Sequence, residues 1–245
     1  MLSKPKIKYI QSLGQKKHRD TEGLFIAEGP KIVGELLRSV PRYVKEVYAV
    51  KEWLKDNSDH AQKQVFTEVS DEELERLSQL KSPHQVVAVV KKFDAEKDIV
   101  VKGKISLALD TIQDPGNFGT IIRVADWFGI EQLICSTDCA DLYNPKTVQA
   151  TMGSLARVKV FYTDIVSWLK QQKDIGIYVT MLEGKDVTKM NPLKEGLIVL
   201  GNESKGIHEE IIALANEKIT IPGKGQAESL NAGVAAGIVL SHLLT

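Results

Sequence analysis

Arg123 is a candidate for handling an anion, and three polar loops hold the side chains that could work with it. The first loop, Asp110 to Arg123, reads DTIQDPGNFGTIIR. Gly116 and Gly119 allow tight turns and close backbone approach, and Asn117 is placed to cap the helix that follows. Arg123 lies about a turn and a half into that helix, among Ile121, Ile122, Val124 and Ala125. An arginine there is either a salt-bridging or snorkelling residue or a guanidinium aimed at a phosphate or a ligand carboxylate. The second loop, Gly201-Asn202-Glu203-Ser204-Lys205-Gly206, joins an apolar run to a helix near His208. The third, IPGKGQAESLNAG from Ile221, offers Ser229 as the N-cap of a closing apolar helix.

Several chemistries are excluded at once. The first loop lacks G-x-G-x-x-G, and no G-x-x-x-x-G-K-[ST] occurs, so neither a Rossmann fingerprint nor a P-loop is present. None of His18, His60, His84, His208 and His242 stands near an obvious nucleophile, which leaves a Ser-His-Asp hydrolase with little support. The two cysteines, Cys135 and Cys139, form no C-x-x-C and no zinc cluster; they read as reduced thiols in or near a strand, as expected in the cytoplasm. No apolar segment follows the N-terminal lysines as in a signal peptide, and no apolar run is long enough to span a membrane. Lysine plus arginine and aspartate plus glutamate number 32 each, so any nucleic-acid binding must rest on a local patch. One such patch is available. Lys4, Lys6, Lys8, Lys16, Lys17 and Arg19 fall near the start, with Tyr9 and His18 among them. They form either a solvated helix face or a phosphate-contacting surface.

The three loops need elements to position them. Ile105–Asp110, Glu131–Ser136, Val158–Phe161, Gly176–Met181, Leu197–Leu200 and Lys218–Ile221 read as strands. Helices are expected from about Phe118 to Phe128, stopped by Gly129, from Pro145 to about Ser154, and over Ile165–Gln172. Strands alternating with helices predict a parallel sheet covered on both faces. Upstream, strands at Leu24–Ala27, Val44–Val50, Gln64–Val69 and Gln85–Val90 alternate with helices. The first of those helices opens at Gly29-Pro30; the second runs from Trp53 to about Asn57; the third starts at Ser70, whose Glu73 completes a capping box. The charged stretch Phe93–Lys104 separates the halves. The expected domains are therefore residues 1–92, a linker over 93–104, and residues 105–245.

Taken in order, the three loops resemble the signature motifs of the SpoU (TrmH-like) group of SPOUT RNA 2'-O-ribose methyltransferases. Asn117, Gly119 and Arg123 match an N-x-G-x-x-x-R motif. Gly201, Asn202, Glu203 and Gly206 match a G-N-E-x-x-G core. Ile221, Pro222, Gly225, Ser229, Leu230 and Asn231 match I-P-M-x-G-x-x-x-S-L-N, with Gly223 where the methionine is usual. The likeness covers roughly Ile105 to Thr245. GLFIAEGPKIVGELL from Gly23 and SPHQVVAVV from Ser82 more weakly resemble the family's substrate-binding domain, a ribosomal-protein-like α/β sandwich.

The resemblance implies a C-terminal domain with a deep trefoil knot, a homodimer packed through the knot helices, S-adenosylmethionine as cofactor and RNA as partner. It places backbone contacts to the adenosine at Gly201, Ile221 and Leu230. It makes Arg123 the base or phosphate clamp; arginine stays protonated in proteins, which favours the clamp. Asn117 is expected to orient the ribose or Arg123, Glu203 to pair with Arg123, and Ser229 and Asn231 to position the hydroxyl and the neighbouring loop. No metal is required. If the chain dimerises, Arg123 or Asn117 could serve the partner's site. Ribosomal RNA is the expected substrate ahead of transfer RNA, because an auxiliary domain suits recognition of structured RNA by shape and backbone. The rival reading is a non-catalytic RNA-binding or ribosome-assembly factor that keeps the fold. A dinucleotide oxidoreductase is the other alternative, and the missing glycine fingerprint counts against it.

Overall fold

Apolar runs become strands of two sheets in the computed structural model, which describes residues 2–57, 65–80, 82–94 and 98–244. Gln64 at the head of one expected strand, His60, and the linker residues Glu96 and Lys97 lie outside the described residues, as does Thr245. The chain divides into two units, and the fold of each is α/β.

The first unit comprises Met1–Ala95 together with Tyr143–Ala156. Two helices, α1 (Lys4–Ser12) and α2 (Lys16–Glu22), precede the alternating part. That part runs β1 (Leu24–Glu28), α3 (Pro30–Ser39), β2 (Val44–Ala49), α4 (Lys51–Asp56), β3 (Val65–Glu68), α5 (Asp71–Leu77) and β4 (Val86–Lys91). The sheet order is β1-β4-β2-β3, antiparallel except for the β2–β3 pair. Helix α3 buries Ile32, Val33, Leu36 and Leu37, the apolar stripe seen in the sequence. The capping box forms: Ser70 Oγ accepts from Glu73 N, and Glu73 returns a carboxylate oxygen to Ser70 N, both at 3.2 Å.

The second unit comprises Glu96–Leu142 and Arg157–Thr245. Its elements are β5 (Ile105–Leu109), α6 (Pro115–Trp127), β6 (Gln132–Ser136), β7 (Lys159–Thr163), α8 (Ile165–Leu169), β8 (Ile177–Asp186), β9 (Gly196–Leu200), α9 (Glu209–Ile212), β10 (Glu217–Thr220) and α10 (Ala232–Leu244). The sheet is parallel throughout, in the order β10-β8-β9-β5-β6-β7. Its central strands β5, β9 and β6 are buried almost end to end, as strands covered on both faces must be. On one face Ala108, Ile134, Val179 and Val199 pack with Ile165 and Leu169 of α8 and Ile211 of α9. Helices α6 and α10 pack directly on each other. At Gly233 of α10 an added Cβ would stand 2.7 Å from Thr120 Cγ2 of α6, so that helix pair closes only over a glycine.

Two caps differ from expectation. Helix α6 begins at Pro115, earlier than Phe118, because Asp114 Oδ1 accepts Asn117 N at 2.9 Å and Pro115 takes the first helical position. Asn117 is thereby inside the first turn, with its side chain free for other work. At α10 the cap is Asn231, not Ser229: Asn231 Oδ1 accepts Gly233 N at 3.0 Å and Val234 N at 3.3 Å. Strand β8 also runs on to Asp186, beyond the expected Met181.

Helix α7 (Pro145–Thr151) leaves the second half of the sequence to pack against β1 of the first unit. Tyr143 packs on Phe25 at a tilt, with ring centroids 4.8 Å apart, and its hydroxyl accepts Phe93 N at 2.9 Å. After α7 the backbone turns through Met152 at φ 51° and Gly153 at φ 97°. An added Cβ at Gly153 would meet Glu35 Cβ at 2.7 Å, so conformation and space both demand glycine there. Gly153→Ala is expected to destabilise the protein by about 2–4 kcal/mol, from left-handed strain plus overpacking. Urea unfolding measures it; an unchanged midpoint would contradict this packing.

Candidate functional site

Parallel α/β sheets bind ligands beyond the carboxyl ends of their strands, where the strand order reverses. Here that place lies between β5 and β9: the chain leaves β5 toward β6 on one side, and β9 returns on the other. The first loop follows β5, the second follows β9, and the third follows β10.

Hydrogen bonds from side chains join the three loops. Asn117 Nδ2 donates to Glu203 Oε1, linking first to second. Asn231 Nδ2 donates to Asn117 Oδ1 at 2.7 Å, linking third to first. Ala232 N donates to Glu203 Oε1 at 3.3 Å, linking third to second. Asn117 thus uses both ends of its amide, which fixes its orientation, and Glu203 receives donors from two loops. Charge-assisted bonds of this kind are stronger than neutral ones.

Beneath this triangle the first two loops are stitched again. Asn202 Nδ2 donates to Thr111 O at 2.9 Å, while Asn202 Oδ1 accepts Ser204 N and Lys205 N at 2.8 and 3.1 Å. The Asn202 and Gly206 backbones exchange a pair of bonds, at 3.0 and 2.9 Å, which closes the second loop. Gly201 permits that closure, since a Cβ there would meet Gly206 O at 2.5 Å. Thr111 carries a φ of 58°, rare for a β-branched residue, and its neighbours hold it there. Its N–H donates to Ser136 Oγ at 2.8 Å, and its one hydroxyl proton is shared between Asp138 Oδ2 at 3.0 Å and Asp110 Oδ1 at 3.1 Å. The Ser136 hydroxyl, with Thr111 behind it, holds the Asp138 carboxyl below the usual range.

Asp110 is only 1% exposed. It accepts His208 N at 2.7 Å and lies 2.9 Å from His208 Nδ1. No hydroxyl bonds that imidazole among the described residues, so the pair builds no Ser-His-Asp arrangement. Cys135 and Cys139 are free and buried, and burial pushes the Cys135 thiol well up. Among the described residues no group of His, Cys, Asp and Glu could hold a metal ion, and no helix is long and apolar enough to cross a membrane.

The structure therefore gathers Asn117, Glu203 and Asn231, with Gly201 at the root of the second loop. It does not form the expected pair between Glu203 and Arg123. Glu203 is taken by Asn117 and Ala232, and the exposed Arg123 side chain bonds no described residue. Ser229 is exposed and likewise makes no hydrogen bond among the described residues. Ile221 is half-buried just past β10, and Leu230 is 44% exposed. Residues 222–230 are all exposed and make no hydrogen bonds among the described residues, leaving their backbone groups open to a ligand. At Gly223 the backbone is not left-handed and an added Cβ would meet nothing, so neither strain nor space demands the glycine. Sequence reasoning missed Asp110, Thr111 and the stitching role of Asn202. The available signal was a carboxylate ending the buried run ISLALD.

Comparison with known proteins gives a consistent picture. A model of the SpoU rRNA Methylase family matches residues 104–241. A second model, the MRM3-like substrate binding domain, matches residues 4–88. Over 241 residues the chain is 32% identical to a Bacillus subtilis (strain 168) protein named 23S rRNA (guanosine(2553)-2'-O)-methyltransferase RlmP, with 97% of this chain and 95% of the relative covered. A solved structure of an AdoMet-bound rRNA methyltransferase from Sinorhizobium meliloti superposes with a TM-score of 0.86 and 30% identity, covering 99% of this chain and 95% of that one. The SpoU methyltransferase AviRb from Streptomyces viridochromogenes, solved with AdoMet (S-adenosylmethionine), gives a TM-score of 0.84 and 25% identity over 98% of this chain and 97% of that one.

Removing the buried anchor tests the stitching. Asp110→Ala strands His208 N and leaves the Thr111 hydroxyl to Asp138 alone, and should destabilise the protein by about 1–3 kcal/mol in urea unfolding. A loss below about 0.5 kcal/mol would show that Asp110 does not hold the loops.

Proposed function

This chain belongs to the SpoU rRNA Methylase family, and from that membership we propose that it transfers the methyl group of S-adenosylmethionine to a ribose 2'-hydroxyl of RNA. The observation that carries the reading is the triangle of Asn117, Glu203 and Asn231, which ties all three motif loops at the sheet's switch point. Ribosomal RNA is the proposed substrate; the relatives named as 23S rRNA and rRNA methyltransferases support it. The first unit is the proposed RNA-binding part, supported by the substrate-binding description of the model it matches. The site of action is the cytoplasm.

The residues present fit the cofactor. Gly201, half-buried, lets the second loop close tightly beside the site, Ile221 and Leu230 offer apolar surface, and the third loop has unspent N–H and C=O groups. Shape and backbone polarity are what adenosine recognition requires. When bound, S-adenosylmethionine would supply an activated sulfonium methyl for the ribose oxygen, with the neutral thioether as leaving group and the hydroxyl proton passing to water. The protein's share is alignment, which can remove much of such a barrier. Arg123, exposed and uncommitted, clamps the target phosphate and steadies charge developing on the ribose oxygen. Asn117 and Glu203, each held by two partners, fix the floor of the site. Asn231 sets the end of the third loop as the cap of α10, and Ser229, with its hydroxyl uncommitted among the described residues, positions the ribose hydroxyl. The third loop and α10 are proposed to thread as a deep trefoil knot, as the family likeness implies; such threading is rare.

A homodimer is the proposed assembly. Trp127 on α6 is 84% exposed and Val234 on the adjoining α10 is 51% exposed, which suits these helices to a second copy. Arg123, four residues before Trp127 and on the same exposed stripe of α6, would then face the partner's site.

Labelled-methyl transfer to ribosomal and transfer RNA from a deletion strain, with the modified ribose mapped, tests the activity. Label in ribosomal RNA is the expected result; no label in any RNA would favour the non-catalytic rival. Arg123→Ala should lower transfer by about 100-fold or more while leaving S-adenosylmethionine affinity nearly intact. Full activity would sink the clamp. Trp127→Glu should yield a monomer in analytical ultracentrifugation, and a persistent dimer would remove α6 from the interface.

A further inference from the structure

The positive charge of this neutral chain is unevenly placed. Residues 1–19 carry six lysines and arginines and no acid, so with 32 of each sign in the chain, the remainder holds 26 basic against 32 acidic residues. The structure sorts those six by what they already do. Arg19 is 2% exposed and donates to Leu13 O at 3.1 Å and Gly14 O at 2.7 Å, which ties α2 to the end of α1. Tyr9 on α1 donates to Glu22 on α2 at 3.0 Å, a second tie between the helices. Lys6 is paired with Glu46 of β2 at 2.8 Å. The other four, Lys4, Lys8, Lys16 and Lys17, are exposed and form no ion pair among the described residues. Asp20, the nearest acid, is engaged by Lys92.

Lys4 and Lys8 are four residues apart on α1, about 6 Å along its axis, while Ile10 and Leu13 at its other side are buried. The four cations therefore stand on a helix pair braced by Arg19 and Tyr9, not on a loose tail. Exposed lysines such as Lys31, Lys45, Lys51 and Lys55 are scattered over separate elements of this unit, on α3, β2 and α4. We propose that Lys4, Lys8, Lys16 and Lys17 form the surface on which the RNA substrate docks through its phosphates. This rests on the methyl-transfer reading for the identity of the partner. Ammonium groups neutralise phosphates and release counterions without reading bases, so the surface supplies affinity and register, and selection of the nucleotide lies elsewhere.

The test compares the full chain with K4Q/K8Q/K16Q/K17Q, and with K31Q/K45Q/K51Q/K55Q as a charge-matched control. Binding to deproteinised 23S ribosomal RNA is followed from 50 to 200 mM KCl, and S-adenosylmethionine binding by calorimetry. The first variant should flatten the slope of log affinity against log salt by about 3, at roughly 0.7–0.9 per phosphate. At 100 mM salt it should bind RNA tenfold or more weakly. Its S-adenosylmethionine affinity should stay within twofold, and the control slope should move by less than about 1. An unchanged slope in the first variant, or equal losses in both, would overturn the surface. So would binding of the wild type, through these lysines, to phosphatidylserine vesicles with the RNA slope unmoved. Absent S-adenosylmethionine binding in the wild type would instead strike the methyl-transfer reading, and the salt slopes would still report on the lysines.

Discussion

The Asn117 amide is the joint on which the second unit's site depends. It donates to Glu203 and accepts from Asn231, so one side chain spans loops that lie 86 and 114 residues away in sequence. Together the bonds use the whole amide, and a further tie to the first loop is the lower one from Asn202 to Thr111. The geometry exists only because Asp114 and Pro115 take over the helix start. Were Asn117 the cap, its oxygen would be spent on backbone and the triangle would open. Asp110 and Thr111 add a lower tier, with a strained backbone kept in place by three hydroxyl and amide contacts.

A site built this way is firm where it orients and open where it binds. The first two loops are closed by Asn202 and by the Gly201 approach to Gly206. The third is anchored at β10 and at Asn231, with nine exposed residues between that bond nothing among the described residues. A segment of that kind loses conformational freedom when a ligand orders it, and Gly223 and Gly225 enlarge the loss. Arg123 stays uncommitted on the exposed side of α6, as suits the phosphate clamp proposed for it.

Much of this was legible in the sequence, and the failures have physical causes. Strands such as ISLAL and GLIVL and the stripe of α3 follow from apolar runs and periodicity, which are local signals. The capping box at Ser70 was readable for the same reason. Caps were misjudged where two candidates competed within a few residues: Asp114 against Asn117, and Asn231 against Ser229. The packing of α7 on β1 rests on Phe25 and Tyr143, which nothing local connects. In the site, the motif spacing located Asn117, Glu203 and Asn231 but not their bonding. The family likeness implied a pair between Glu203 and Arg123, whereas Glu203 bonds Asn117 instead. Asp110 and His208, 98 residues apart, meet only once β5 and β9 lie side by side.

The central claim is that Asn117 and Glu203 act as one unit in methyl transfer. A double-mutant cycle of Asn117→Ala and Glu203→Ala, read in kcat for transfer to ribosomal RNA, tests it most directly. The account predicts that the double variant is hardly slower than either single one, because the second change removes a partner already lost. Fully additive losses would show that the two side chains work independently, and would contradict the account.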